Sequence, residues 1–260
     1  MGRFAVILPA AGRSTRFGDP KQKKIYADLD GRAVWLRALD PFLGRADVGQ
    51  VIVAIHPEDR DLFDRRYHAN VAFLGIRVID GGSERHETIA RALEVVDPSC
   101  DYLAIHDAAR PCLVSEQVDA VFAAAIEHGA AILAVAVADT LKRVGPDQTT
   151  IETIPRAGLH GTQTPQVFRR DLIVRAYANR GRLGEAITDD AQLVEAIGHP
   201  CRVVEGSPMN LKITTAADLR LAAAILKALP EPPRDAPLHP FSDEKAKWDQ
   251  GPKRKLEDLF

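Results

Sequence analysis

Cysteine is scarce in this chain: Cys100, Cys112 and Cys201 are the three among 260 residues. Their spacing matches no zinc pattern, and an odd count fits a reducing compartment better than a disulfide framework. Free apolar packing is the expectation for each. An excess of charge of either sign is also missing, with 34 Lys and Arg against 36 Asp and Glu and a formal net charge of −2. Nucleic-acid binders show a basic face or stripe, so no polyanion partner is expected. No apolar stretch approaches the roughly 18 residues of a membrane span. The start, Met-Gly-Arg-Phe, leads into only a short apolar run, unlike a signal peptide. A cytoplasmic protein without membrane contact is expected. Three well-known signatures are absent: G-x-G-x-x-G, G-x-x-x-x-G-K-[ST] and G-x-S-x-G. Their absence argues against an ordinary dinucleotide loop, a P-loop and a serine-hydrolase elbow.

What is present begins at the N-terminus. Residues 4–8, F-A-V-I-L, read as a buried strand that Pro9 ends. Ala10, Ala11 and Gly12 follow, then the cations Arg13, Arg16 and Lys21. Small residues let backbone N–H groups approach an anion, and the cations neutralise it. α/β sheets place ligands in such loops.

Apolar strands at 50–56, 75–79, 101–106 and 130–137 alternate with helical stripes at 32–43, 57–68 and about 115–128. The alternation indicates an α/β fold with a mostly parallel, three-layer sheet. At 46% hydrophobic residues, the chain has enough apolar side chains for a full core. Ser83, with Glu84 and Glu87, marks the start of a further helix, and Thr188 reads as the N-cap of another, with Asp189 and Asp190 in its first turn. M-N-L-K-I-T reads as a short strand, and Thr214 or Thr215 caps a last helix over 216–229. Residues 138–156 break the rhythm as a polar, β-branched hairpin around G-P-D-Q. A lone two-stranded hairpin is marginal in water, so a second subunit is its natural support. From Pro230 the composition turns proline-rich and then mixed-charge, giving a domain over 1–229 and an extension over 230–260.

Asp107, at the end of the strand 101–106, is the strongest chemical candidate, because a carboxylate there can hold Mg²⁺ against substrate phosphates. Arg110 can bind phosphate through its bidentate fork. Arg16, Lys21, Arg156 and Lys212 form a dispersed cation set, and Lys212 interrupts an apolar run, where a lysine must snorkel or meet an anion. His106 reads as a satisfied core histidine rather than an acid or base.

Taken together, P-A-A-G-R-S-T-R-F-G (9–18), P-K-Q (20–22), D-G-G-S-E-R (80–85), H-D-A-A-R-P (106–111), D-T-L-K-R (139–143), Q-T-P-Q-V-F (163–168), I-T-D-D (187–190) and N-L-K-I-T (210–214) resemble the 2-C-methyl-D-erythritol 4-phosphate cytidylyltransferase family across residues 3–229. The resemblance implies a Rossmann-like nucleotidyltransferase fold with a protruding dimerisation arm at 138–156. It implies a magnesium-dependent transfer of CMP from CTP to a methylerythritol phosphate, in a homodimer. Arg16, Lys21 and Lys212 would act on the phosphates. Ala10, Ala11, Gly12, Gly82, Ser83, Arg85 and Thr88 would border CTP. Arg110, Thr140, Arg156, Thr164 and Thr188 would place the second substrate, and Asp107 would bind the metal. The loop departs from the family's usual pattern at Ser14, where glycine is common, and Lys23 stands where an aromatic is usual. Other polyol-phosphate cytidylyltransferases, a sugar-1-phosphate nucleotidyltransferase and a non-catalytic nucleotide-binding protein are the rival readings.

Overall fold

The computed structural model of the chain describes residues 2–17, 23–182 and 187–229, without the side chains of Arg16 and Arg182. The extension 230–260 and Lys21 lie outside the described residues.

Strand β1 spans Phe4–Ala10. It runs two residues past the expected end, through Pro9. Ile7 accepts a hydrogen bond from the His106 N–H, on the side of strand 102–105, whose pairing with β1 stops at Ile7. Strand bonding alternates with period two, so Pro9 faces that vacated side and its missing N–H costs no ladder bond. A tight hairpin follows: β2 (Asp28–Leu29) and β3 (Arg32–Ala33), turned by Asp30 and Gly31 at φ 53° and 81°. Helix α1 (Val34–Leu39) leads to β4 (Val48–Ile55). Helix α2 spans Arg60–Leu74, beyond the expected end at residue 68. Phe63 and Tyr67 are buried and Val71 and Leu74 pack on the same core, so the stripe persists until Gly75, at φ 62°, ends it.

The chain continues through β5 (Arg77–Asp80), α3 (Arg85–Leu93), β6 (Tyr102–Ile105), α4 (Ser115–His128) and β7 (Ala130–Ala136). The hairpin is β8 (Leu141–Val144) against β9 (Thr150–Ile154), a separate two-stranded sheet with mostly exposed side chains. β10 (His160–Arg169), α5 (Arg170–Ala178), α6 (Asp190–Ala196), β11 (Arg202–Glu205) and α7 (Ala216–Ala228) complete the described chain.

Seven strands form the main sheet in the order β11-β7-β10-β6-β1-β4-β5. All neighbours are parallel except β10, which is antiparallel to both β6 and β7. Periodicity does not announce β10, because its outer half is polar and its ladder shifts between Thr162 and Gln166. Successive residues of β1 feed opposite faces. Phe4, Val6 and Leu8 pack with α2 and α4, while Ala5 and Ile7 pack with α3, α5 and α6. A third cluster seats α7 on the turn after β6 through Ala109, Cys112, Ile213 and Ala222. The chain builds outward from β1 to β4 and β5, then returns to place β6 on the other side of β1. That reversal opens a crevice at the carboxyl ends of β1 and β6.

Two caps differ by one residue from expectation. α3 is capped by Glu84 in a reciprocal box with Glu87, not by Ser83, whose N–H and hydroxyl both donate to Glu87 Oε2 at 3.0 and 2.7 Å. α6 is capped by Asp189, whose carboxylate accepts the Gln192 N–H at 3.0 Å, not by Thr188. In both, a carboxylate outcompetes a neighbouring hydroxyl at the positive end of the helix. M-N-L-K-I-T is not a strand but an irregular segment, pinned where the Ile213 N–H donates to Ala109 O at 2.8 Å. Thr215 caps α7 as expected.

Candidate active site

The crevice holds a cleft of about 160 Å³ that opens to solvent, in the concave position where α/β sheets place small-molecule sites. Three segments make its walls. Ala10, Ala11 and Gly12 leave β1, Gly82 to Arg85 join β5 to α3, and Asp107 to Ala109 leave β6. Lys212 enters from the segment before α7.

The walls approach closely because side chains are missing where they meet. A Cβ on Gly81 would stand 2.5 Å from that of Ala11, and one on Gly82 would stand 2.4 Å from that of Glu87. The Gly82 N–H donates to the buried Thr88 hydroxyl at 3.0 Å. Ser14 adopts φ 57°, the left-handed region that glycine enters at no steric cost. Its hydroxyl accepts the Lys24 N–H at 3.3 Å, closing the loop across its neck. Lys23 does not pack as an aromatic would. Its Nζ lies 2.7 Å from Asp59 Oδ2, which also accepts the Tyr26 hydroxyl at 3.0 Å.

Asp107 is the electrostatic centre. It is 7% exposed. Oδ2 meets Lys212 Nζ at 2.9 Å and Arg110 Nε at 3.4 Å, and Oδ1 has Arg85 Nε at 3.6 Å. Burial alone would raise its pKa, but the three cations, Lys212 foremost, outweigh burial and hold the carboxyl well below the usual range. Arg85 is likewise opposed by burial. Asp190, with Oδ2 at 2.7 Å from Nη2, and then Asp107 keep it charged and raise its pKa.

The expected site residues separate into four groups. Ala10, Ala11, Gly12, Gly82, Ser83, Arg85, Thr88, Asp107 and Lys212 all line the cleft. Arg110 and Thr164 lie beneath it instead. Arg110 is 9% exposed and donates through Nη1 to Asn210 O at 2.7 Å, so its fork is occupied within the protein. The Thr164 hydroxyl is 3.0 Å from the Asp107 N–H and 3.1 Å from His106 Nδ1. Thr140 and Arg156 sit exposed at the base of the hairpin, where Arg156 Nη1 donates to Ala138 O. Thr188 is exposed and donates to Gln192 Oε1. Within this chain these last three do not line the cleft. Lys21 and the Arg16 side chain lie outside the described residues.

Three contributors escape the sequence reading. Asp190 is fully buried and accepts the Tyr177 hydroxyl at 2.5 Å. Gln166 Oε1 accepts the N–H groups of Asp190 and Ala191, both at 3.1 Å. Asn210 Nδ2 donates to Thr164 O at 2.9 Å. Gln166 and Asn210 fall inside quoted motifs, yet neither carries a charge or periodicity that marks it.

His106 is a core histidine, as expected. The bonding order fixes its tautomer. The Asp107 N–H donates to the Thr164 hydroxyl, which is left to donate to Nδ1, so Nε2–H donates to Arg110 O at 3.1 Å. Burial pushes its pKa down to about 4 from 6.5, against the opposing pull of Asp107. Between those values the unfolded chain binds a proton that the folded chain refuses, so stability falls as pH drops through this window. His106 should therefore cost roughly 3 kcal/mol of stability by pH 4. Urea unfolding of the parent and of His106→Gln across that range tests this. Equal acid slopes would remove the assignment.

Among the described residues no group of three or more His, Cys, Asp or Glu side chains could cage a metal. One carboxylate beside a cation-lined cleft suits a hard divalent cation that arrives with phosphate oxygens and keeps most of its ligands there. The residues present fit Mg²⁺ in that sense.

The profile of the family described as IspD, 2-C-methyl-D-erythritol 4-phosphate cytidylyltransferase, matches residues 4–228. A 2-C-methyl-D-erythritol 4-phosphate cytidylyltransferase of Rhodopirellula baltica is 44% identical over 234 residues, covering 85% of this chain and 94% of its own. A bifunctional enzyme IspD/IspF of Rhodospirillum rubrum is 42% identical over 228 residues, 87% of this chain and 58% of its own. The solved structure of the Thermus thermophilus 2-C-methyl-D-erythritol 4-phosphate cytidylyltransferase superposes with a TM-score of 0.71 at 32% identity, over 85% of this chain and 98% of that one. With a family profile over residues 4–228, a relative 44% identical over 94% of its own length and a solved structure superposing at a TM-score of 0.71, this chain belongs to the 2-C-methyl-D-erythritol 4-phosphate cytidylyltransferase family.

Proposed function

We propose that this protein transfers the CMP moiety of CTP to 2-C-methyl-D-erythritol 4-phosphate, giving 4-diphosphocytidyl-2-C-methyl-D-erythritol and pyrophosphate. The observation that carries the reading is Asp107 with Lys212 and Arg85 at the mouth of a glycine-walled cleft. In the reaction, a phosphate oxygen of the acceptor forms a bond to the α-phosphorus, and the bond from that phosphorus to the bridging β-oxygen breaks. Pyrophosphate leaves with the electron pair. The attacking phosphate is already anionic near neutral pH, so no general base is needed. His106 is buried, neutral and engaged at both ring nitrogens, so it is not one.

The chain's work is to bring two anions together and to hold charge where it grows. Ala10 to Gly12 and Gly82 to Ser83 leave room for the nucleotide, and Thr88 and Arg85 border it. Lys212 would stabilise charge on the α-phosphate; Lys21 and Arg16, which lie outside the described residues or have no described side chain, are assigned to the α-phosphate and the leaving pyrophosphate on the family resemblance alone. Mg²⁺ held at Asp107 would neutralise the triphosphate and orient it. Arg110 and Thr164 act from below, by fixing Asp107.

The working unit is a homodimer. Val144 and Ile151 are large apolar residues left exposed on the arm, 48% and 63% respectively. Such side chains on a two-stranded sheet call for a covering surface. A partner's arm would carry Arg156 and Thr140 to the acceptor side of the cleft. Ile151→Asp should convert a dimer to a 28.4 kDa chain in sedimentation equilibrium and lower turnover on the order of tenfold. A parent that sediments as a single chain at all concentrations would overturn the arrangement. The three free thiols suit a reducing cytosol.

Pyrophosphate release from CTP with 2-C-methyl-D-erythritol 4-phosphate and Mg²⁺, with and without chelator, tests the reading. Parallel reactions with ribitol 5-phosphate, and with UTP, GTP and ATP, assign the substrates. Faster release with another pair would replace the assignment. CTP binding without turnover would make the protein a nucleotide sensor.

A further inference from the structure

Asp107 has two oxygens with different surroundings. Lys212 and Arg110 take Oδ2 at 2.9 and 3.4 Å. Oδ1 faces Arg85 Nε at 3.6 Å, beyond hydrogen-bond range. Arg85 is not short of reach. Its Nη2 makes a full-strength bond of 2.7 Å to Asp190 Oδ2 instead. Asp190 cannot follow the guanidinium toward the cleft. It is fully buried at the start of α6, its Oδ1 is tied to the Tyr177 hydroxyl at 2.5 Å, and its N–H is tied to Gln166 Oε1 at 3.1 Å. Arg85 is therefore strung between a fixed carboxylate and one that lines the cleft.

We propose that Asp190 is a positioning residue: it holds the Arg85 guanidinium off Asp107 Oδ1 and so keeps that oxygen open to the divalent cation that accompanies CTP. This rests on the reading of the cleft as a metal–nucleotide site. With Asp190 neutralised, Arg85 keeps Asp107 as its one remaining carboxylate among the described ion pairs. It closes onto Oδ1, both oxygens are then occupied by side-chain cations, and a metal must displace one of them. A purely structural Asp190–Arg85 pair would have no such effect on the metal.

The test is the ratio of CTP dissociation constants measured in chelator and in saturating Mg²⁺, by equilibrium titration without acceptor. Binding coupled to the metal makes this ratio greater than one in the parent. Asp190→Asn, an isosteric change, should cut the ratio by about tenfold. Adding Arg85→Met should raise it to the parent's value or above, because the intruding cation is gone, even though CTP itself binds more weakly. A ratio unchanged in D190N, or one that stays low in the double variant, overturns the proposal. Should D190N not fold, Arg85→Met alone decides: the ratio should rise severalfold, and a ratio equal to or below the parent's overturns the proposal. A parent with no metal dependence would instead refute the metal–nucleotide reading of the cleft.

Discussion

Asp107→Asn is expected to lower turnover on the order of 10³-fold, with both substrates saturating and the fold verified by circular dichroism. The amide is isosteric, so shape survives while charge is lost. Three cations, Lys212, Arg85 and Arg110, converge on this carboxylate within 3.6 Å. Neutralising it leaves them repelling one another, and Arg110, with 11% of its side chain exposed, cannot move into water. Breaking one side of a buried ion cluster typically costs about 3 kcal/mol, so thermal stability should fall as well. The same cations fix a pH signature. The depressed pKa keeps Asp107 ionised through any working range, so its stabilising contribution is present above the ordinary carboxylate range and is lost only in strong acid. The parent's rate profile should therefore show no acid limb from this group. Turnover of the asparagine variant within a few-fold of the parent would remove Asp107 from the centre of the site.

Lys212→Met should cost 10²-fold or more in kcat, by the measure of lost donors to a developing oxyanion, with a smaller change in the KM for CTP. Its backbone is fixed: the neighbouring Ile213 is fully buried and bonds Ala109, in the turn that carries Asp107. Its side chain is 40% exposed and rests on Asp107 at 2.9 Å, poised at the cleft rather than sunk in the core. A cation so placed exchanges a protein carboxylate for a phosphate oxygen without crossing an apolar barrier. The exposure also predicts a small effect on folding, which separates this variant from Asp107→Asn. A kcat within threefold of the parent, at unchanged melting temperature, would end the assignment. Lys212→Arg should recover only part of the rate, because the planar fork is not a compact point charge.

Much of this site is legible from the chain. The apolar runs of β1, β4, β6 and β7 carry their own signal because strands buried on both faces need no polar alternation. The motifs around Ala10, Gly82, Asp107 and Lys212 do meet at one crevice. Arg110 and Thr164 show where that reading stops. Both have the chemistry to hold a phosphorylated substrate, yet one spends its fork on Asp107 and Asn210 and the other spends its hydroxyl on Asp107 and His106. β10 escapes because an antiparallel strand inserted between two parallel ones has a polar end, and Asp190 escapes because it resembles any first-turn carboxylate.

By itself the sequence determined the alternating α/β core, the small-residue loop after β1, the polar hairpin and the residue types able to manage phosphate. Local patterns fix these, since period, turn chemistry and capping act within a few residues. Which cation meets which acceptor was left to the tertiary structure. Arg85 finds Asp190 across 105 positions and Arg110 finds Asn210 across 100. Such pairs depend on the order of strands in the sheet, which decides the loops that share its carboxyl edge, and on burial, which decides whether a charge faces the cleft or supports it from below.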